Sequence, residues 1–354
     1  MPGNHLFQPL FAGPLDIVGD VHGELDALRE LLAVLGYHAD GRHPKGRRLA
    51  FIGDLCDRGP ESPAVFELVA GLVGRGLAQC LLGNHELNVL CNAPKEGNGW
   101  FFAENHDVAH CRFRDAAPAS DADRAAIRSF ITTLPVVLER ADLRLVHAAW
   151  DDAALALLRE CEAATLAIYK AYATRSHDVA RESGLAERAK DEWRENQQRL
   201  TDPLAAPPLL ENLGRLDFLE QMANPLRIAT SGPERLAKVP FYAAGKWRMV
   251  DRLPWWAHYR HEVPVIIGHY WRWPTPELRE VFTRGEHDLF DGAGIDRWLG
   301  PRQNVYCVDF GVGARYKERA QCNTRFRTRL AAVRWPEREV VTDDGARLPL
   351  QPPT

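Results

Sequence analysis

The sequence has no C-x-x-C pair. Its seven cysteines stand singly at 56, 80, 91, 111, 161, 307 and 322. An odd, scattered set of thiols, several inside apolar runs such as Gln79-Cys80-Leu81-Leu82, excludes a disulfide framework and a thiolate zinc ribbon. Reduced thiols in a cytoplasm are expected. No run approaches the roughly 18 consecutive apolar residues of a membrane span, and Met1 to Phe11 lacks the basic and apolar regions of an export leader. Excess positive charge is missing too: 44 Lys and Arg against 48 Asp and Glu leave a net charge of -4. That argues against a partner recognised by bulk charge, such as a nucleic-acid duplex. With 27 Gly and 24 Pro the chain is not of low complexity, and it has no internal repeat.

What is present is an ordinary globular composition, 45% apolar and 26% charged over 354 residues, enough for a substantial core. Short apolar runs, Leu15 to Gly19, Leu49 to Gly53, Cys80 to Gly83 and Leu143 to His147, have the length of buried strands. Val263 to Gly268 and Asn304 to Asp309 repeat the pattern later. Glu24 to Leu35 and Ser62 to Val73 have helical period, so strand and helix alternate as in a layered α/β sheet. Residues 152–208 differ, being rich in Ala, Arg and Glu, with helical stretches around Leu155 to Ala173 and Leu185 to Leu200 and a Pro-punctuated linker from Thr201 to Pro208. We read one domain over 1–354 with a helical insertion at 152–208, packed on the body through Leu155, Leu158, Leu166 and Tyr169. Aromatics crowd 241–273; core and cleft lining is the plain expectation, and stacking of a substrate's aromatic group the sharper one. The polar tail after Pro336 is expected to be peripheral.

Each strand-like run ends in a metal-competent side chain. The first gives Gly19-Asp20-Val21-His22-Gly23, the second Gly53-Asp54-Leu55-Cys56-Asp57-Arg58-Gly59, the third Gly83-Asn84-His85-Glu86, and the later ones His147, His269 and Asp309. In an α/β sheet ligands bind outside the carboxyl ends of strands, so these side chains should converge. Carboxylate, imidazole and amide without thiolate suit Mn, Fe, Zn, Ni or Co. There are more ligands than one ion needs. Two ions clamping an in-line displacement stand about 3.5 to 4 Å apart and call for a bridging carboxylate; Asp54, in the middle of the set, is the candidate.

Those blocks, in that order, resemble the metallophosphoesterases, and within them the phosphoprotein phosphatase superfamily that also contains diadenosine tetraphosphatases. The resemblance implies an αββα sandwich of two mixed sheets flanked by helices, and a metal-dependent phosphoric ester hydrolase. It implies Asp20, His22 and Asp54 on a first ion, and Asp54, Asn84, His147 and His269 on a second. His85 becomes the proton donor to the leaving oxygen, oriented by Asp57, and Arg58 the phosphate-binding arginine. A hydroxide bridging the ions would attack. Manganese is the first expectation for both ions, with iron, zinc, nickel or cobalt as alternatives.

Taken alone, a histidine such as His147 or His269 is ordinarily a satisfied structural residue; only its place after a strand run makes it a ligand candidate. Asp309 reads equally as a supporting carboxylate or a turn residue, and Glu86 as a support for its loop. His106, His110, His258 and His261 read as structural or solvent-facing. The chain departs from the family where His-Gly becomes His147-Ala148-Ala149, and where a second substrate arginine has no motif; Arg248 and Arg252 are candidates. Asp57 before Arg58, and Glu86 after His85, favour a phosphomonoesterase acting on phosphorylated Ser or Thr or a small ester. A symmetrical diadenosine tetraphosphate hydrolase is the alternative, and a catalytically silent phosphate-binding scaffold the rival of another class.

Overall fold

The computed structural model describes residues 4–102, 113, 115–243, 245–283, 287–322 and 325–351. His106 and His110 lie outside them. The first half runs β1 (Phe7–Pro9), β2 (Leu15–Val18), α1 (Leu25–Leu35), β3 (Arg48–Phe51), α2 (Ser62–Gly74), β4 (Ala78–Cys80), α3 (Asn84–Leu90), α4 (Asp121–Ile131), β5 (Val137–Arg140) and β6 (Leu143–Val146). Five helices follow, α5 (Asp152–Arg159), α6 (Thr165–Glu182), α7 (Leu185–Thr201), α8 (Glu211–Met222) and α9 (Pro225–Ser231), then the strands β7 (Glu234–Ala243) and β8 (Lys246–Arg252). The chain ends with β9 (Val265–Ile267), α10 (Pro276–Phe282), β10 (Val305–Cys307), α11 (Arg315–Ala320), β11 (Ala331–Trp335), β12 (Glu339–Thr342) and β13 (Arg347–Pro349).

Two mixed sheets are built from these strands. One has the order β1-β5-β6-β9-β10 and the other β13-β12-β11-β2-β3-β4, while β7 and β8 pair only with each other. Strand side chains alternate between faces, and the packing follows that period of two. Leu15 and Ile17, Ala50, Leu145, Ile266, Tyr306 and Val333 share one apolar cluster between the sheets. Their neighbours Val18, Leu49, Phe51, Val146, Val265, Ile267 and Cys307 belong to a second cluster with helix residues such as Leu28, Leu31, Val65, Val69, Leu155 and Leu226. The result is two mixed sheets packed face to face with helices outside, as expected. Helix α1 buries Leu25, Leu28, Leu31 and Leu35 at helical spacing and stops at Gly36, which takes a left-handed conformation at φ 95°.

Three expectations are corrected. The tail after Pro336 is not peripheral: β12 and β13 extend the larger sheet, and Val340 and Val341 are buried. A four-residue strand that alternates little apolar signal with polar edge residues looks like loop until its partners are known. The helical run does not end at 208 but continues through α8 and α9; α8 buries only Gly214 and Gln221 and so carries no apolar stripe to read. Leu155, Leu158 and Tyr169 do pack on the body, but Ile168 is the buried residue of that turn where Leu166 was expected. Among the described residues no helix is long and apolar enough to cross a membrane.

Candidate metal centre

The parallel strands β2, β3 and β4 of one sheet and β6, β9 and β10 of the other deliver their carboxyl ends to one place. Asp20, His22, Asp54, Asp57, His85, His147, His269 and Asp309 are all buried there. Close approach requires glycine. A Cβ on Gly268 would lie 2.0 Å from Asp20 Oδ1, and one on Gly59 would lie 2.1 Å from the His22 carbonyl oxygen. Five residues of the site hold positive φ without being glycine: His22 49°, Asp54 49°, Asp57 73°, Arg58 70° and His269 66°. Such backbone persists only where the surroundings over-determine it, and it gathers at functional sites.

Asp54 is the centre of the arrangement. Its Oδ1 accepts a hydrogen bond from the His85 backbone N–H at 3.0 Å, at the start of α3. Its Oδ2 is left inward, 3.3 Å from His147 Nε2 and 3.9 Å from both His22 Nε2 and His85 Nε2. Two groups of metal-competent atoms result, His22, Asp54 and His85, and Asp54, His147 and His269, with all atoms of each group within 4.8 Å of one another. Both contain Asp54. Asp20 joins the first through an Oδ2 lying 3.9 Å from His22 Nε2, while its oxygens accept from the His269 backbone N–H at 3.0 and 3.2 Å.

The imidazoles are held with the useful nitrogen inward. His22 Nδ1 meets the Cys56 carbonyl and His147 Nδ1 the Ile52 carbonyl, each at 2.9 Å. An N–H given to a carbonyl fixes the tautomer and leaves the Nε2 lone pair for a ligand. Burial, reinforced by Arg58, holds His22 well below the usual histidine range; burial and Arg252 do the same to His269. Both therefore stay neutral. At His147 burial acts downward as well, but the Asp54 carboxylate, helped by Asp20 and Glu86, outweighs it and pushes the group up to about 10. Asp20 is raised well above the carboxylate range by burial and by Asp309.

Asn84 supplies the test of whether a metal fits. Its Oδ1 stands 3.2 Å from His147 Nε2 and 2.8 Å from His269 Nδ1. Asp54 Oδ2 and the Thr230 carbonyl are each 3.3 Å away. His147 Nε2, its group pushed up to about 10, is one donor here, but Asn84 Oδ1, His269 Nδ1, Asp54 Oδ2 and the Thr230 carbonyl are four acceptors, which need a further donor or a positive centre among them. The amide's own NH2, turned inward, would serve, and so would a cation to which oxygen, imidazole and carboxylate are all ligands. A nitrogen and oxygen set of this kind fits a borderline divalent ion.

Beside this cluster His85 Nδ1 is bound to Asp57 Oδ2 at 2.5 Å, and Asp57 Oδ1 accepts from Trp100 Nε1 at 2.6 Å. The Arg58 guanidinium faces His22 Nε2 at 2.8 Å and His85 Nε2 at 3.2 Å, and lies 4.9 Å from the Trp271 ring centre. Glu86 braces the Asp54 loop, accepting from the backbone N–H groups of Asp54, Leu55 and Gly83 at 2.9, 2.8 and 3.0 Å. Asp309 takes the Gly311 N–H at 2.9 Å, and burial, with Asp54 nearby, pushes its carboxyl up to about 6.

Arg248 and Arg252 stand apart from the cluster, on β8. Arg252 is the nearer, 5.7 Å from the Tyr270 ring beside His269. The crowded aromatics mostly fill core: Trp255, Trp256, Tyr259 and Tyr270 are buried, and Trp273 stacks on Phe282 at 5.0 Å. Of that segment, Trp271 meets the site at Arg58 and Tyr270 packs edge-on against His269 at 5.0 Å between ring centres. His261 pairs with Asp152 at the surface, and His258 is exposed. Sequence reasoning missed Trp100, Trp271 and the carbonyls of Ile52, Cys56 and Thr230, because a carbonyl has no sequence signal and an aromatic distant in the chain declares no partner.

Residues 13–137 match the model of the calcineurin-like phosphoesterases. Among curated relatives, the asymmetrical bis(5'-nucleosyl)-tetraphosphatase PrpE of Geobacillus thermodenitrificans is 36% identical over 148 residues, which are 38% of this chain and 56% of that protein. The protein of the same name from Anoxybacillus flavithermus is 34% identical over 145 residues, 40% of this chain and 55% of the relative. The chain thus spans little more than half the length of the relatives it matches. A solved cold-active protein-tyrosine phosphatase of a psychrophilic Shewanella aligns over 99% of this chain and 83% of its own, at TM-score 0.48 and 16% identity. The matched stretch contains Asp20, His22, Asp54, Asp57, Arg58, Asn84 and His85, so the part of the chain that carries these residues is similar to the calcineurin-like phosphoesterases.

Proposed function

We propose that the protein is a two-metal phosphoesterase, with Asp20, His22 and Asp54 holding one divalent ion and Asp54, Asn84, His147 and His269 the other. The observation that carries this is Asp54 Oδ2, free of backbone partners and common to both groups of metal-competent atoms. Bound ions would polarise the phosphoryl group and acidify the attacking water. The chain's own side chains do the rest. Arg58 offers a planar fork to two phosphoryl oxygens. His85 Nε2 gives its proton to the leaving oxygen while Asp57, fixed by Trp100, holds the opposite nitrogen. Manganese remains the first expectation, and the cytoplasm the expected location.

For the substrate, the Asp57-Arg58-Gly59 and Glu86 pattern favours a phosphate monoester. A second reading, a dinucleoside polyphosphate, is favoured by the names of the relatives, which match in the stretch that carries the site. The test is phosphate release from an aryl phosphate by protein reconstituted with Mn, Fe, Zn, Ni or Co, with Asp54→Ala as comparison. Losing a partner outside the coordination shell costs about 10- to 100-fold in affinity or activity, so losing the shared ligand should exceed that. Elemental analysis should find fewer than two ions per chain. Two ions retained with near wild-type turnover would remove Asp54 from the bridge.

A further inference from the structure

A second cavity lies at the end of the smaller sheet opposite the metal centre. The strands β9 and β10 run parallel, with His269 and Asp309 beyond their carboxyl ends and Pro264 and Asn304 just before their amino ends. The cavity has a volume of about 230 Å³, and its walls come chiefly from Glu262, Pro264, Trp298, Arg302, Asn304 and Arg338. One water needs only about 10 to 15 Å³ of such space, so a small molecule fits. Leu299 and Val305 exchange backbone hydrogen bonds at 2.7 and 3.3 Å, and this antiparallel bridge sets the faces. Strand side chains alternate. Trp298 therefore shares a face with Tyr306, their ring centres 5.4 Å apart, and with Asn304 on the diagonal. Diagonal neighbours stand about 7 to 8 Å apart.

Two polar groups on that face are buried without a partner. Trp298 is 7% exposed and Asn304 8%. Among the described residues the Trp298 Nε1–H finds no acceptor and Asn304 Oδ1 no donor. Asn304 Nδ2 is used, donating to the carbonyls of His261 at 2.7 Å and Glu262 at 3.2 Å, and these bonds hold the amide with Oδ1 turned away from them. A buried donor or acceptor left unmade is costly, so a cavity with one of each suits a ligand that offers the opposite pair. Charge adds a third requirement. Arg302 faces Glu262 at 3.8 Å. Arg338 Cζ lies 5.8 Å from the Trp298 ring centre and 5.3 Å from that of Trp335, and among the described residues its guanidinium makes no ion pair. The carboxylates around it are taken: Glu337 by Arg47 at 2.7 Å, Glu339 by Arg347 at 2.9 Å, and Asp142, which accepts from Trp335 Nε1, by Arg140 at 2.7 Å. The walls are left with one net positive charge.

We propose that this cavity is a binding site for a small monocarboxylate that also carries a hydroxyl group. The carboxylate accepts from Trp298 Nε1 and from Arg338, a charge-assisted bond. The hydroxyl donates to Asn304 Oδ1 across the diagonal. A flat acid with the two groups at opposite ends spans that gap and lays its ring against Pro264 and the indole. The inference stands apart from the phosphoesterase reading, because β9 and β10 lie between this cavity and the metal ligands.

The probe is 4-hydroxybenzoate, compared with benzoate, which lacks the donor, and 4-hydroxybenzyl alcohol, which lacks the charge. Calorimetry gives affinities, and the indole N–H signals of the 10 tryptophans report the place of binding. Trp298→Phe, which removes the donor and keeps a ring, assigns the Trp298 signal. That signal should shift and saturate with 4-hydroxybenzoate. Losing the charged partner, in Arg338→Gln or in the alcohol, should weaken binding about tenfold or more, and losing one neutral hydrogen bond, in benzoate, about fivefold. Arg338 is only half-buried, so Arg338→Gln carries the test by calorimetry if Trp298→Phe does not fold. No binding of 4-hydroxybenzoate, equal affinity for all three probes, or unchanged affinity in Arg338→Gln overturns the site. So does a shift confined to the Trp271 signal, which would put the acid at the metal centre instead. Since no readout involves hydrolysis, failure of this site and failure of the phosphoesterase reading are told apart.

Discussion

The strand ends of the sandwich and the face of β8 both gather charged side chains, by opposite means. At the strand ends the groups are buried, the backbone holds left-handed conformations at five non-glycine positions, and Asp54, His22, His85 and His147 are each braced by a fixed partner. On β8, Lys246 and Arg252 are exposed, while the strand's other face packs on a small apolar cluster of Leu200, Leu210 and Met249. Eight of the nine exposed large apolar residues among those described lie between Leu157 and Val239, so this region is less well covered than the body. Each left-handed non-glycine residue costs about 1 to 3 kcal/mol, which only densely packed layers can sustain. The charged groups at the strand ends therefore sit where the fold is densely packed, and those of β8 where substitution disturbs little.

The sharpest test of the rigid half is His85→Asn. If His85 is a proton donor and not a ligand, both ions remain and the rate falls about 10²- to 10⁴-fold for alkyl leaving groups, with a smaller loss for an aryl group that departs without protonation. Rates across a leaving-group series, with metal content measured alongside, check this. A uniform loss would give His85 a ligand's role, as its distance of 3.9 Å from Asp54 Oδ2 permits.

A smaller effect should separate the two regions mechanically. Met249→Ala removes the centre of the insertion's cluster, where a buried Met to Ala change costs about 2 to 5 kcal/mol. With so few neighbours to lose, the low end is expected. Amide hydrogen exchange should show faster opening in β7, β8 and α8, with protection in β2, β3 and β9 unchanged. Loss of protection throughout would mean that the two regions unfold as one unit.

The smallest effect is electrostatic. Burial pushes the Glu234 carboxyl up from 4.5 to about 6, against the pull of Arg252 and Arg248. The folded chain then holds this proton more tightly than the unfolded one. Between about pH 4.5 and 6 stability falls as pH rises, and above 6 the full cost of the buried charge is present. Glu234→Gln should therefore stabilise the protein above pH 6, by less than about 2 kcal/mol, the ceiling set by a shift from 4.5 to about 6, and leave it unchanged below pH 4.5. Denaturant midpoints across that range measure it. A gain that is equal at every pH would point to packing instead.

Much of the site was legible because its elements are local. A short apolar run followed by Gly-Asp or Gly-Asn-His is visible without partners; five of the six runs take in the strand that carries the metal-competent residue, the second missing only Arg48 of β3, while the third, Cys80 to Gly83, overlaps β4 (Ala78–Cys80) only at Cys80. The tail was misread because β12 and β13 have no local signal beyond alternation and become strands by pairing with β11. The aromatics were over-read for the mirror-image reason: composition locates Trp255, Trp256 and Trp271 in one segment but does not say that two face core and one faces Arg58.

The sequence by itself determined the order of strands and helices in the body and the chemical identity of the donors, because hydrophobic period and side-chain type are properties of neighbours in the chain. Only the tertiary structure decided which atoms meet. Asp54 presents Oδ2 because an amide from α3 takes Oδ1, and His22 and His147 present Nε2 because carbonyls of Cys56 and Ile52 take Nδ1. Arg252 comes within 5.7 Å of the Tyr270 ring because a hairpin outside both sheets is laid between Tyr270 and Glu96. Those choices depend on groups far apart in the chain, whose positions are set by packing rather than by local preference.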